Sequence, residues 1–314
     1  MSNNNSLTPN AIFLLLISVL FWGWAFPLIK LTLNFVPPLV IGYFRYFFAS
    51  LPFILYILLH DNALEIRKNL RDNWVILVGL GITMVTIPNI TQNIGLLYTT
   101  ASIAALITQV APVFTVIIAI IVLHESKNWQ KIAGLIIALT ASIIMVIYTG
   151  LEISNATFFG NVLIFFTSIS YGICGIFSKT ALKSLSPIYV TGFGMFFGSI
   201  ILVPLSPLFG EPIDWPLHLS SDGWLYLFLL TLFPCMIATF LWYVVLQTHE
   251  VSKQVLFSYL IPVFAAVFAF LMLGEILTPG TIFLGALIIL GIAIAEINLK
   301  NQNKTIKINF QFIK

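Results

Sequence analysis

The chain has 314 residues, 60% of them hydrophobic and only 8% charged, with a net charge of +3 and a mean hydropathy of +1.05. A soluble domain carries about a quarter charged residues, and 14 basic plus 11 acidic side chains cannot cover the exterior of a water-soluble globule this apolar. Soluble enzyme, nucleic-acid binder, coiled coil and disordered chain are thereby excluded, and a polytopic helical membrane protein remains.

Apolar runs read against polar interruptions predict ten spans, at residues 11–31, 38–59, 73–95, 101–123, 131–149, 158–182, 187–208, 223–247, 252–273 and 281–298. Ten helices of about 20 residues use about 200 residues, which suits the hydrophobic content. Continuous runs such as Val113 to Leu123 lack the alternation of barrel strands. The opening segment, Met1 to Asn10, has no Lys or Arg of the kind that starts a signal peptide, so the first run is read as a retained helix. The longest predicted connections are His60 to Asp72 and Phe209 to Asp222, and residues 299–314 form an Asn/Lys-rich tail. Cys174 and Cys235 fall in apolar runs, and His60, His124, His218 and His249 do not cluster, so neither a metal site nor a cofactor is expected.

With the N-terminus in the cytoplasm, Arg67, Lys68, Arg71, Lys127, Lys131, Lys183, Lys253, Lys300, Lys304, Lys307 and Lys314 all fall inside. External connections then hold Glu152, Glu211, Asp214, Asp222 and Glu275 but no Lys or Arg. This asymmetry predicts a multi-pass protein of a bacterial inner (plasma) membrane with both termini cytoplasmic. It also explains the net charge without a nucleic-acid partner. Membrane lipids are the expected surroundings of the basic loops.

The two halves resemble each other. At an offset of 149, Gly23, Lys30 and Pro38 match Gly172, Lys179 and Pro187. At an offset of 150, Trp74, Ser102, Pro112 and Glu125 match Trp224, Ser252, Pro262 and Glu275. Each half holds five spans, an odd number, so the second copy must insert upside down. The predicted fold is all-α: ten transmembrane helices as two inverted five-helix repeats, 11–149 and 158–298, around a central cavity. Inverted repeats of this kind mark secondary transporters.

The Trp22-Gly23 pair with Pro27 and Lys30, Arg45 in the second span, and the two Pro-Val-Phe…Glu blocks (Pro112 to Glu125, Pro262 to Glu275) resemble the EamA-type branch of the drug/metabolite transporter superfamily. The resemblance spans both repeats. It implies a ten-helix bundle with alternating access, and inner-membrane carriers that often export amino acids or other small metabolites. Gly194 departs from the pattern, standing where the first half has Arg45.

Polar groups inside spans are the first candidates for a transport site. Asn89, Gln92 and Asn93 share one helical face at i, i+3 and i+4, and their repeat mates include Trp242 and Tyr243. Gln109 pairs with Tyr259, and Trp22 with Tyr171. Together these nine positions read as an amide-and-aromatic lining for a small amphipathic substrate; helix–helix hydrogen bonding is an equal explanation for any one of them taken alone. Arg45 lies about seven residues into its span, either as a bidentate anion contact or as a structural post. Lys30 and Lys179 close the first and sixth spans, where they offset the helix dipole or act as gate charges. Glu125 and Glu275 are expected to accept from the N-terminus of the helix that follows each. Pro112 and Pro262 remove a backbone hydrogen bond early in their spans.

The protein is therefore read as a secondary transporter of an amino acid or similar solute, in the export direction, working as a monomer or homodimer. An integral-membrane enzyme acting on lipid and a non-transporting scaffold or channel are the alternatives. No Gly-x-x-x-x-Gly-Lys loop is present, which excludes primary pumping by this chain. No Asp or Glu stands in mid-span, so facilitated diffusion or exchange is expected rather than proton coupling.

Overall fold

The structure, a computed structural model, describes residues 8–122, 129–211, 219–249, 254 and 257–297. Glu125 and the predicted tail 299–314 lie outside the described residues. Helices α1 (Pro9–Thr32), α2 (Pro38–His60) and α3 (Ala63–Tyr98) come first. Next are α4 (Ala101–Thr108), α5 (Ala111–Val122), α6 (Trp129–Ile153) and α7 (Asn155–Ala181). The remainder are α8 (Pro187–Leu205), α9 (Ser221–Thr248), α10 (Ile261–Leu273) and α11 (Pro279–Ile297). Among the described residues there is no strand. Six of the helices (α1, α2, α3, α7, α8 with its 3₁₀ extension, and α9) are long and apolar enough to cross a membrane, and shorter apolar helices accompany them.

Local chemistry sets most starts. Pro occupies the first turn of α1, α2 and α8, where its missing N–H costs nothing. Side-chain oxygens of Thr8, Asn62, Thr100, Ser154 and Ser220 cap α1, α3, α4, α7 and α9. The Asn62 cap matters most for the sequence reading. Residues from Ala63 onward are helical, whereas His60 to Asp72 was expected to be a connection. The stretch is amphipathic and capped rather than uniformly apolar, so a search for spans overlooks it.

Two further differences follow from proline. The fourth predicted span divides into α4 and α5 at Gln109–Val110, because Pro112 has no N–H to bond the carbonyl of Thr108. Within α3 and α9 the helix widens to π geometry, over Ile82–Thr86 before Pro88 and over Thr231–Ala238 around Pro234. The widened turns fall at equivalent points of the two halves.

Packing is reciprocal between the halves. A Cβ on Gly23 of α1 would meet Phe264 Cβ of α10 at 2.6 Å and the Ile261 carbonyl oxygen at 2.9 Å. A Cβ on Gly172 of α7 would meet Phe114 Cβ of α5 at 2.5 Å and the Ala111 carbonyl oxygen at 2.9 Å. Only glycine permits these approaches. Helices α2 and α8 pack together, as do α3 with α7 and α6 with α11. The exterior is apolar, with Phe13, Leu59 and Phe283 each more than 60% exposed, while Arg45, Asn89, Gln92 and Asn93 are buried. Such an inverted distribution suits lipid outside and a polar interior.

Candidate functional site

The buried polar cluster starts at Arg45, two turns into α2 and 4% exposed. Its Nη2 donates to Asn89 Oδ1 at 2.9 Å, and its guanidinium carbon stands 4.8 Å from the centroid of the Tyr46 ring. Asn89 Nδ2 donates to its own helix at the Val85 carbonyl, 2.6 Å away. Asn93 Nδ2 donates to Asn89 Oδ1 at 3.0 Å and to the Pro38 carbonyl at 2.8 Å. These acceptors fix the Asn93 amide, so its Oδ1 points away from both. Asn93 Oδ1 and Arg45 Nε are buried without a protein partner. The groups in contact with the guanidinium are the Asn89 amide and the Tyr46 ring, neither of them a carboxylate.

The helical face predicted for Asn89, Gln92 and Asn93 exists but is shared out. Asn89 and Asn93 turn to α2, whereas Gln92 Oε1 accepts from the Tyr171 hydroxyl of α7 at 3.0 Å. A second group is aromatic. The Trp22 and Trp242 rings lie 4.9 Å apart at 50°. Trp22 Nε1 donates to the Pro234 carbonyl at 3.2 Å, inside the widened turn of α9. Tyr243, 4% exposed, directs its hydroxyl at Met84 sulfur, 3.2 Å away. Gln109 is buried at the α4–α5 break, and Tyr259 stands half-buried just before α10.

Sequence reasoning missed Tyr46 and Met84; the freed carbonyl in the widened turn is legible from Pro234 itself, since a proline in mid-span releases carbonyls from the helical ladder. Sequence reasoning also missed a line of α3–α7 bonds, Thr91 to Thr167 at 2.6 Å, Thr99 to Asn161 at 2.5 Å and Ser170 to the Thr83 carbonyl at 2.8 Å. These are helix–helix ties in the membrane manner.

The end groups behave differently from expectation. Glu275, placed just after the left-handed turn at Gly274, accepts from Ala101 N at 2.9 Å, Ser102 N at 3.0 Å and Ser102 Oγ at 2.9 Å. It therefore caps α4 in the other half, not the helix that follows it. The unpaired first-turn donors of α4 are what it satisfies. Lys30 Nζ donates to the Thr99 carbonyl at the end of α3, while its mate Lys179 is exposed, so the two lysines are not equivalent. Pro112 and Pro262 each stand second in their helices, α5 and α10. Glu211, unremarked in the sequence beyond its external position, accepts from Leu39 N at 2.9 Å and Val40 N at 3.1 Å and caps α2. Burial lifts its carboxyl above the usual value, against the pull of those two N–H donors.

An apolar exterior around buried amides, aromatics and one uncompensated guanidinium is the build of a multi-pass membrane protein with a polar interior. The profile of the EamA-like transporter family matches residues 9–147 and again 158–296. An uncharacterized transporter of Archaeoglobus fulgidus is 29% identical over 89% of this chain and 96% of its own length. The uncharacterized transporter YoaV of Bacillus subtilis is 26% identical over 86% and 90%. A protein of Streptantibioticus cattleyicolor named "probable terminal-alkyne amino-acid exporter" is 24% identical over 90% and 92%. A protein of known crystal structure has the same fold, with a TM-score of 0.66 at 18% identity over 93% of this chain and 98% of the other. The chain belongs to the EamA-like transporter family. It is a membrane transporter of the drug/metabolite type and not an enzyme.

Proposed function

We propose that this transporter is a secondary carrier moving a small amphipathic organic solute, an amino acid or a similar metabolite, by alternating access and in the export direction. In this reading ten spans form two inverted repeats, 11–149 and 158–298, in an inner (plasma) membrane with both termini and the tail 299–314 cytoplasmic. The reciprocal seating of Gly23 on α10 and of Gly172 on α5 carries the reading. Each half lends its first helix to the fourth of the other, as a pair of interchangeable conformations requires. The paired widened turns support the same symmetry.

Trp22 and Trp242 supply stacking surfaces for the solute, and the Gln92–Tyr171 pair and the Arg45–Asn89–Asn93 cluster fix its polar ends. Gln109, Tyr243 and Tyr259 complete the lining, and the external ties of Lys30 and Glu275 open when the site faces outward. A monomer or a homodimer serves this scheme equally. The similarity to a named amino-acid exporter supports the substrate class.

The test is counterflow in proteoliposomes preloaded with single amino acids. Uptake of labelled solute against an equal internal pool, lost in Trp242→Ala and Gln92→Ala variants that still melt near the parent temperature, supports the proposal. Equal flux in empty and protein-containing vesicles across the panel would refute it.

A further inference from the structure

At the Arg-rich end of the bundle, Ala63, Ile66, Arg67, Leu70, Arg71 and Trp74 of α3 face Leu58 of α2 across an open groove of about 560 Å³. Their spacing of three and four residues places all six α3 side chains on one face. At 100° per residue, Glu65 and Asp72 fall roughly 160° away from the middle of that stripe. The carboxylates on the opposite side of the helix are exposed; beside them Asn73 Oδ1 accepts from Ser184 Oγ at 2.8 Å, and Asp61, just before the helix begins, accepts from the Tyr189 hydroxyl at 2.5 Å. Charge is thus sorted by face. Two exposed guanidiniums one turn apart, with no ion-pair partner among the described residues, border a groove that is otherwise aliphatic and indole.

Topology alone needs basic residues near this end but not this arrangement. The positive-inside rule is satisfied by any Lys or Arg in the segment, whatever the helix face. It does not require that both arginines share a face with Ile66, Leu70 and Trp74, nor that the carboxylates be excluded from it. Leu58 and Trp74 are 61% and 58% exposed, so the groove opens to the surroundings rather than to the core.

We infer that this groove binds one anionic glycerophospholipid. Arg67 and Arg71 take the phosphate through their planar forks, the acyl chain leads from them past Leu70 and the Trp74 ring toward the span, and Leu58 and Ile66 close the headgroup end of the groove. A net-negative headgroup is favoured over a zwitterionic one, whose own cation offsets the second guanidinium. The inference depends on the orientation proposed above only for the leaflet occupied, and no transport is measured in its test.

The experiment is native mass spectrometry of the purified full chain in neutral detergent, titrated with dioleoyl-phosphatidylglycerol or dioleoyl-phosphatidylcholine. One phosphatidylglycerol is retained in preference to phosphatidylcholine. R67Q/R71Q weakens it by about fivefold per arginine removed. K68Q/K183Q, which removes the same charge from the same end but off the stripe, leaves retention within about twofold of the parent. W74A lowers retention of both lipids and keeps the headgroup preference, and glycerol 3-phosphate, lacking chains, is not retained. Melting of every variant in phosphatidylcholine micelles is compared first, so that loss of lipid is not loss of fold. Equal weakening by the two double variants, or equal retention of the two lipids by the parent, overturns the proposal.

Discussion

The Arg45 cluster makes an asymmetric prediction about which partner of a buried pair can be lost. Asn89 Oδ1 receives two donors, Arg45 Nη2 at 2.9 Å and Asn93 Nδ2 at 3.0 Å. Replacing Asn89 by the near-isostere Leu leaves a 4%-exposed guanidinium whose Nε already lacks a protein acceptor. Loss of a charge-assisted bond with the cation still buried costs about 3 kcal/mol, within the 3–5 kcal/mol range for breaking buried pairs. Replacing Arg45 by Met instead removes the charge, and Asn89 Oδ1 keeps Asn93 as donor, so the cost is about 1 kcal/mol. At roughly 2–4 °C per kcal/mol for a chain of this size, Asn89→Leu lowers the melting temperature by about 6–12 °C and Arg45→Met by about 2–4 °C. The double variant is the discriminating case. Removing the charge from the Asn89→Leu background recovers about half the loss, because the group that could not be solvated is gone. Intrinsic tryptophan fluorescence during heating in detergent, with size exclusion to verify monodispersity, reads all four proteins. If Arg45→Met lowers the melting temperature further in the Asn89→Leu background, the cluster is held by packing rather than by compensation of charge, and the reasoning fails.

Glu275→Gln retains one acceptor for the α4 N-terminus but loses the carboxylate that accepts from Ala101 N, Ser102 N and Ser102 Oγ; it costs about 1–2 kcal/mol, measured as a melting shift that shrinks in high salt. Gly172→Ala places a methyl group 2.5 Å from Phe114 Cβ and destabilises by about 1–3 kcal/mol. Gly23→Ala, meeting Phe264 Cβ at 2.6 Å, has the same effect within about 1 kcal/mol; unfolding of the two variants side by side tests whether the halves pack alike. Tyr171→Phe removes the bond to Gln92 Oε1 at a stability cost of about 1 kcal/mol, and counterflow in proteoliposomes, rather than melting, shows the larger change if Gln92 contacts solute.

The positions of the six long apolar helices were legible because a bilayer, not tertiary packing, sets their length: about 20 apolar residues must appear in sequence whatever the neighbours are. The half-to-half repeat was legible because Trp, Pro, Lys and Glu are scarce in so apolar a chain, so their matches at a nearly constant offset register. Gly23 and Gly172 match because, where backbones approach within a methyl group, only glycine fits. The start of α3 was not legible as helix, since Asn62, Glu65 and the Leu64–Ile66–Leu70 pattern make an amphipathic, capped segment rather than an apolar one. Helical periodicity put Asn89, Gln92 and Asn93 on one face, but it carries no information on how that face is divided. Asn89 and Asn93 reach α2 and Gln92 reaches Tyr171 because a third helix wedges between two neighbours, and the azimuth of those neighbours is a property of the assembled bundle. Glu275 shows the same limit in reverse. Adjacency in sequence suggested the next helix as its partner, but a helix N-terminus exposes its donors to any carboxylate in reach, and Ala101 and Ser102 of the other half are nearer. What local chemistry dictates, caps, breaks and close approaches, can be read along the chain; what depends on which helix stands beside which requires the two halves to have met.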